Sequence, residues 1–113
     1  HPLDLIMFDS AINHGPSVAV KLLQKSLNTL LPYTELKVDG IIGPLTLRAV
    51  RDYEGLQDVP GSHNKSNIRY LCIDVLMNRI ELYLSIVMNN KSQEKFLKGW
   101  LNRVFKLKQQ AGL

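Results

Sequence analysis

Few residues in this 113-residue chain have the types and spacing that catalysis requires. There is no glycine-rich loop ending in lysine that would cradle a phosphate, no His-Glu-x-x-His pair and no Gly-x-Ser-x-Gly turn around a nucleophile. The histidines His1, His14 and His63 are too dispersed to form a zinc triad. We therefore expect no metal site and no bound cofactor.

The carboxylates do not form an obvious catalytic pair either. A glycosidase needs two carboxyl groups beside the sugar bond, or one acid and a positioned water. Glu35 lies in a predicted loop and Glu54 at a predicted helix end, while the helix dipole explains Glu94 in a first turn. Glu81 shares a helix face with Asp74, which favours a solvated face. None of these residues requires a catalytic explanation.

Three polar residues are candidates for ligand contact. Asn13 closes the first predicted helix just before a His-Gly pair, so its amide could cap that helix or face a ligand. Asp39-Gly40 and Thr46 are typical of a turn followed by a helix start. Physical reasoning alone favours a structural role for all three.

Two further side chains are better explained by packing. Cys72, the only cysteine, lies on an apolar helix face, which favours a buried small hydrophobe over a nucleophile. Trp100, with Arg69 and Arg103 as charged neighbours, could offer a plane for sugar stacking. Its position on an apolar stripe nevertheless favours core packing.

The elements that must position these residues are helices. Apolar residues at helical spacing, with Gly15-Pro16 and Gly43-Pro44 as punctuation, predict about five of them. They cover residues 2–13, 16 to about 32, 44–54, 68 to about 89, and 92–108, with Ser92 as the N-cap of the last. The apolar stripes predicted to be buried include Phe8 and Ile12 in the first helix and Phe96 and Phe105 in the last. We expect a surface loop over residues 55–67 and at most one short extended segment over residues 36–42.

Composition fits one folded domain over residues 1–113, and the helical spacing predicts that it is all-α. Hydrophobic residues make up 45% of the chain and charged residues 21%, unlike a disordered chain. No apolar run approaches the roughly 20 residues of a membrane-spanning helix.

The net charge of +4 is unevenly distributed. Through Pro60 there are five Lys and Arg against seven Asp and Glu, a net of −2, and after it nine against three, a net of +6. This asymmetry leaves open a helical interaction module that binds an anionic membrane or protein partner through its basic last helix. DNA binding is disfavoured, because the second predicted helix carries only Lys21 and Lys25 for base readout.

Several ordered segments carry a family resemblance. They are FDSAINHG, LLQKSLN, VDGIIGPLTLRAV, an Arg69-Tyr70 pair opening a long helix, and FLKGWLNRV. Nearly the whole chain thereby resembles the C-terminal, predicted peptidoglycan-binding region of glycoside hydrolase family 108 N-acetylmuramidases. These are lysozyme-like endolysins, some of them labelled secretion activator proteins.

The resemblance implies a lysozyme-like all-α architecture that binds peptidoglycan glycan strands and forms one wall of the glycan cleft. It implies action at the cell wall, in the periplasm or outside the cell, and a bacterial or phage origin, with neither nucleic acid nor membrane as partner. Asn13 is similar to the asparagine at a helix end that lines the sugar cleft of lysozyme-like enzymes. Asp39 and Thr46 match a DG-G-T pattern, which implies loop geometry first and glycan contact second.

The resemblance assigns no catalytic residue to this chain. In that family the general-acid glutamate belongs to a Glu-Gly-Gly type motif near the N-terminus, and no such motif occurs in these 113 residues. We therefore expect the chain to be inactive alone. Because the chain begins with His1, we also expect the catalytic segment to precede it in the intact enzyme.

Overall fold

The computed structural model describes residues 1–31, 34–56 and 66–113, and this part of the chain is helical without strands. This confirms the predicted all-α class with five helices. The α-helices are α1 (Pro2–His14), α2 (Pro16–Leu30), α3 (Pro44–Glu54), α4 (Ser66–Asn89) and α5 (Leu97–Gln110), and a 3₁₀ helix covers Lys91–Phe96. Most of the predicted 55–67 loop, including His63, lies outside the described residues.

Prolines and one glycine set the first three helix starts. Pro2, Pro16 and Pro44 occupy the first positions of α1, α2 and α3, where a missing backbone N–H removes no helical hydrogen bond. Gly15 separates α1 from α2 with a φ of 90°, in the left-handed region that favours glycine, and its N–H donates to the Ala11 carbonyl at 2.9 Å. The two helices are therefore joined by one residue.

The start of the last helix differs from the prediction. Asn90, not Ser92, is the N-cap: its Oδ1 accepts hydrogen bonds from the Ser92 N–H at 3.2 Å and the Ser92 hydroxyl at 2.6 Å. An asparagine that bonds two residues ahead forms its own turn, and the chain continues as a 3₁₀ helix before α5 begins.

The longest helix, α4, contacts every other helix and carries the centre of the core. The buried apolar residues of the core come from all five α-helices and include Leu3, Ile6, Leu23, Leu27, Ala49, Tyr53, Leu71, Val75, Leu76, Val104 and Leu107. Cys72 is fully buried among them, and burial raises the pKa of its thiol to about 11. The predicted buried hydrophobe is confirmed, since almost no thiolate forms at neutral pH.

Part of the predicted apolar stripe of α1 was wrong. Phe8 is 67% exposed and Ile12 64% exposed, whereas Leu3, Ile6 and Ser10 face the interior. A helix that packs on one side buries only one stripe, and the buried stripe of α1 includes a serine. Phe96 and Phe105, expected on the buried stripe of the last helix, are also exposed.

None of the helices in the described ranges combines the length and hydropathy that crossing a membrane requires.

Candidate functional site

Asn13 lies at the end of α1 with an exposed side chain. Its Nδ2 donates to the Asp9 carbonyl oxygen at 2.7 Å and lies 3.2 Å from Asp9 Oδ2, one helical turn back. These bonds fix the orientation of the amide and leave its Oδ1 without a donor among the described residues. Contact between Asn13 and a ligand stays a prediction.

Asp9 connects three helices through two arginines. Its Oδ2 lies 2.7 Å from Nη1 of Arg79 on α4, and its Oδ1 lies 3.0 Å from Nη2 of Arg103 on α5. Burial raises the pKa of Asp9, but the hydrogen bonds and charges of Arg103 and Arg79 outweigh it, so the pKa lies below the usual aspartate value. The carboxylate is therefore ionised at neutral pH.

Arg79 is a fully buried cation. Besides Asp9, its Nη1 donates to Ser10 Oγ at 3.2 Å and its Nε donates to the Tyr83 hydroxyl at 3.1 Å. Its Nη2 has no hydrogen-bond partner in the described part of the chain. Because a buried guanidinium needs a counter-charge, Asp9 and Arg79 hold α1 and α4 in a fixed register.

Aromatic rings extend this arrangement toward the surface. The Tyr83 ring stacks on Trp100 with centroids 5.0 Å apart, and Trp100 stacks on the exposed Phe96 at 5.9 Å. His14 Nε2 lies 3.1 Å from the Tyr83 hydroxyl. Burial, and then the charge of Arg79, lower the pKa of His14, so its imidazole is neutral at pH 7.

These side chains form one group, the Asp9 cluster, defined as Asp9, Asn13, His14, Arg79, Tyr83, Trp100 and Arg103. Trp100 packs partly buried against the core, as predicted, and Arg103 is 52% exposed. The exposed amide of Asn13 and the guanidinium of Arg103 can offer hydrogen bonds to a ligand. The exposed ring of Phe96, which stacks on Trp100, can offer it an apolar face.

Asp39 and Thr46 belong to a second group around Gln24, a buried residue of α2. Gln24 Nε2 donates to Asp39 Oδ1 at 3.1 Å and to Thr46 Oγ1 at 3.2 Å. Gln24 Oε1 accepts from the N–H groups of Asp39 at 3.1 Å and Gly40 at 3.0 Å. The Gln24 amide therefore shapes the turn at Asp39 and Gly40 that leads into α3, which we call the Gln24 turn.

The two predicted residues of this turn differ in exposure. Thr46 is buried and Asp39 is exposed. Hydrogen bonds from the Ile41 N–H and from Gln24 lower the pKa of Asp39, which keeps it ionised. Glycan contact by either residue stays a prediction.

The turn packs against the start of α2. Gly40 has a φ of 78°, and a Cβ placed on it would lie 2.8 Å from the carbonyl oxygen of Ser17. Ser17 lies in the first turn of α2, four residues after Asn13. The Gln24 turn and the Asp9 cluster therefore both adjoin the α1–α2 junction.

No glutamate forms an ion pair with a member of either group in the described residues. All four have exposed side chains, and Glu54 pairs with His1 at 3.5 Å. A general acid of this kind lies in a pocket shielded from water, and none of these glutamates is shielded. No group of three or more His, Cys, Asp or Glu that could hold a metal ion occurs in the described residues.

Sequence reasoning assigned no role to Arg79 or Gln24. Each is a polar residue at a helical position otherwise occupied by apolar ones: Arg79 follows Cys72 and Val75, and Gln24 lies between Leu23 and Leu27. A long polar side chain on an apolar stripe was the available signal, because such a residue must find buried partners.

Comparison with known families gives a match over most of the chain. A family model described as a predicted peptidoglycan domain matches residues 18–105. The matched span contains Gln24, Asp39, Thr46, Arg79 and Trp100, and it begins after α1. Searches of curated proteins and of solved structures returned no significant match, so the lysozyme-like architecture stays a prediction.

Replacing Asp9 by asparagine should lower the free energy of unfolding at pH 7 by about 3–5 kcal/mol, because Arg79 would stay buried without a counter-charge. Chemical denaturation measures this loss. The matched control is Asp52→Asn, whose exposed partner Arg48 lies 3.9 Å away and which should cost less than about 1 kcal/mol. Equal losses in the two variants would contradict the role given to Asp9.

The same variant should change the response to acid. Because the folded-state pKa of Asp9 is lowered, its contribution is complete above the unfolded-state pKa, about 3.9, and is lost as the pH falls through the folded-state value. Unfolding free energies between pH 7 and pH 2 should therefore fall more steeply for the wild type than for Asp9→Asn. Parallel curves would show that Asp9 does not contribute to the acid response.

Gly40→Ala should destabilise the chain by about 1–2 kcal/mol or more, because alanine is strained at a positive φ and its Cβ would press on Ser17. Gly99→Ala provides the control, since Gly99 lies in α5 with open space around it and should gain up to about 1 kcal/mol. Thermal unfolding should move in opposite directions for the two variants. A shift in the same direction would contradict the packing of the Gln24 turn on α2.

Proposed function

The chain belongs to the predicted peptidoglycan domain family, and on that premise we propose that it is the peptidoglycan-binding part of an N-acetylmuramidase and forms one wall of its glycan cleft. The observation that carries the proposal is the family match over residues 18–105, which spans most of the chain. The motif series over residues 8–104, which resembles family 108 muramidases, supports the finer assignment. The site of action is then the cell wall.

In this proposal the glycan binds along the surface where the Asp9 cluster and the Gln24 turn adjoin the α1–α2 junction. Sugars present hydroxyl and N-acetyl groups, which pair with exposed amide, carboxylate and guanidinium groups. Asn13, Asp39 and Arg103 supply these groups, and Phe96 supplies an exposed aromatic face. Thr46 contributes by holding the turn through Gln24.

The chemical step is assigned to a residue outside these 113. Cleavage needs an acid that protonates the glycosidic oxygen, and the resemblance places that glutamate in a motif this chain lacks. The exposure of Glu35, Glu54, Glu81 and Glu94 supports the assignment, because none has the shielded setting of a general acid. The chain would bind and orient substrate for a catalytic segment.

Binding is tested by sedimentation of the 113-residue chain with purified insoluble peptidoglycan. The wild type should pellet, and Asn13→Ala should weaken binding about fivefold, since one ligand hydrogen bond contributes about 1 kcal/mol. Asn102→Ala, a change at an exposed asparagine of α5, is the matched control and should bind like the wild type. A chain that stays in the supernatant but floats with anionic vesicles would support the membrane-binding alternative instead.

Catalysis is tested by turbidity of a cell-wall suspension. The chain alone should produce no clearing over hours, while an active muramidase in a parallel tube clears it. Clearing by the chain would contradict the assignment of the general acid to another segment, and the four Glu→Gln variants would then identify the acid.

A further inference from the structure

A groove of about 450 Å³ runs between α2 and α4, and none of its lining residues belongs to the Asp9 cluster or the Gln24 turn. Its apolar surface includes Leu22, which is only 4% exposed, together with the half-buried Val18 and Leu82. Pockets of this size hold small ligands or a few residues of peptide rather than a folded partner.

The α2 side and the α4 side of the groove carry charges of opposite sign. Lys21 and Lys25, one helical turn apart, line the α2 wall, and Glu81 lines the α4 wall. All three side chains are exposed, and none takes part in an ion pair shorter than 4.0 Å within the described residues. Their charges are therefore free to meet those of a ligand.

Asn78 adds an oriented amide to the α4 wall. Its Nδ2 donates to Ser26 Oγ at 2.8 Å and lies 3.4 Å from Asp74 Oδ2, which fixes the side chain. Its Oδ1 accepts no hydrogen bond from the described residues and can accept one from a peptide N–H. The groove thus combines an apolar lining, two cations, one anion and an amide acceptor.

We propose that this groove binds the short peptide attached to the glycan strands of peptidoglycan, with peptide carboxylates at Lys21 and Lys25 and a free side-chain amine at Glu81. This inference rests on the proposed function, since it concerns another part of the same polymer. A sugar that carries a peptide is neutral, because its carboxyl group is used in the amide bond to that peptide. The sugars therefore cannot pair with the lysines and with Glu81. The peptide carries both signs of charge. Its glutamate and terminal carboxylates are complementary to Lys21 and Lys25, and the amine of its diamino acid is complementary to Glu81.

The probe is the N-acetylated tetrapeptide acetyl-Ala-γ-D-Glu-diamino acid-D-Ala, whose only amine is on the diamino acid side chain, titrated into the isotope-labelled 113-residue chain and followed by backbone amide NMR. Perturbed amides should concentrate in residues 18–25 and 78–85. The Lys21→Gln, Lys25→Gln double variant should weaken binding at least about fivefold, as expected for the loss of two exposed charge contacts. The control is Lys98→Gln, Lys106→Gln on α5, which removes the same charge and should bind like the wild type.

A second pair of ligands tests the role of Glu81. Acetylation of the side-chain amine of the diamino acid should weaken binding to the wild type but cause no further loss in Glu81→Gln. An equal loss in both proteins would overturn the assignment of the amine to Glu81.

The outcomes separate this inference from the proposed function. If the chain pellets with peptidoglycan but the tetrapeptide perturbs no amide in the two segments, peptide binding is overturned and glycan binding stands. If the chain neither pellets nor binds the tetrapeptide, both fail. The NMR titration of the wild-type chain tests peptide binding even if a variant does not fold.

Discussion

The structure depends on one constraint: Arg79 carries a positive charge in the middle of α4 with no solvent exposure. A buried guanidinium is tolerable only beside a carboxylate with good geometry, and Asp9 provides it at 2.7 Å. Meeting that requirement fixes the register of α1 on α4, and the second oxygen of Asp9 brings in α5 through Arg103. The position of Asn13, one turn beyond Asp9, follows from the same register.

The counter-ion comes from outside the family-matched span. Arg79 lies within residues 18–105, whereas Asp9 and the buried Ile6 belong to α1, before the match begins. Residues 18–105 alone would leave Arg79 uncompensated and would uncover part of the core. For this chain, then, the physical unit extends beyond the family match and includes α1.

Helix positions were largely predictable because they follow from local rules. Apolar spacing and the Gly-Pro punctuation located the five α-helices of the described residues, although the prediction of Ser92 as N-cap was wrong. The partners of buried polar groups were not predictable, since Arg79 and Ser10 are 69 residues apart and meet only after folding. Asp39 and Thr46 could be identified because their turn pattern is local in the sequence. Their hydrogen bonds to Gln24 could not be predicted, because Gln24 meets them only after folding. The exposed Phe8 and Ile12 show a second limit of the sequence. The spacing of apolar residues predicts a helix, but it does not tell which side of that helix other elements will cover.

Recognition of peptidoglycan places modest demands on each contact. The ligand is an insoluble polymer in which sugars and peptides repeat, so a domain that leaves one site stays close to the next, and weak contacts combine through high effective concentration. Under the proposed function, exposed side chains such as Asn13 and Lys25 would each contribute a fraction of a kcal/mol to about 1 kcal/mol, which is then sufficient. What they require is a rigid support, and the buried networks of Arg79 and Gln24 provide it. The buried polar networks would therefore serve binding by fixing the positions of exposed side chains whose individual contacts are weak.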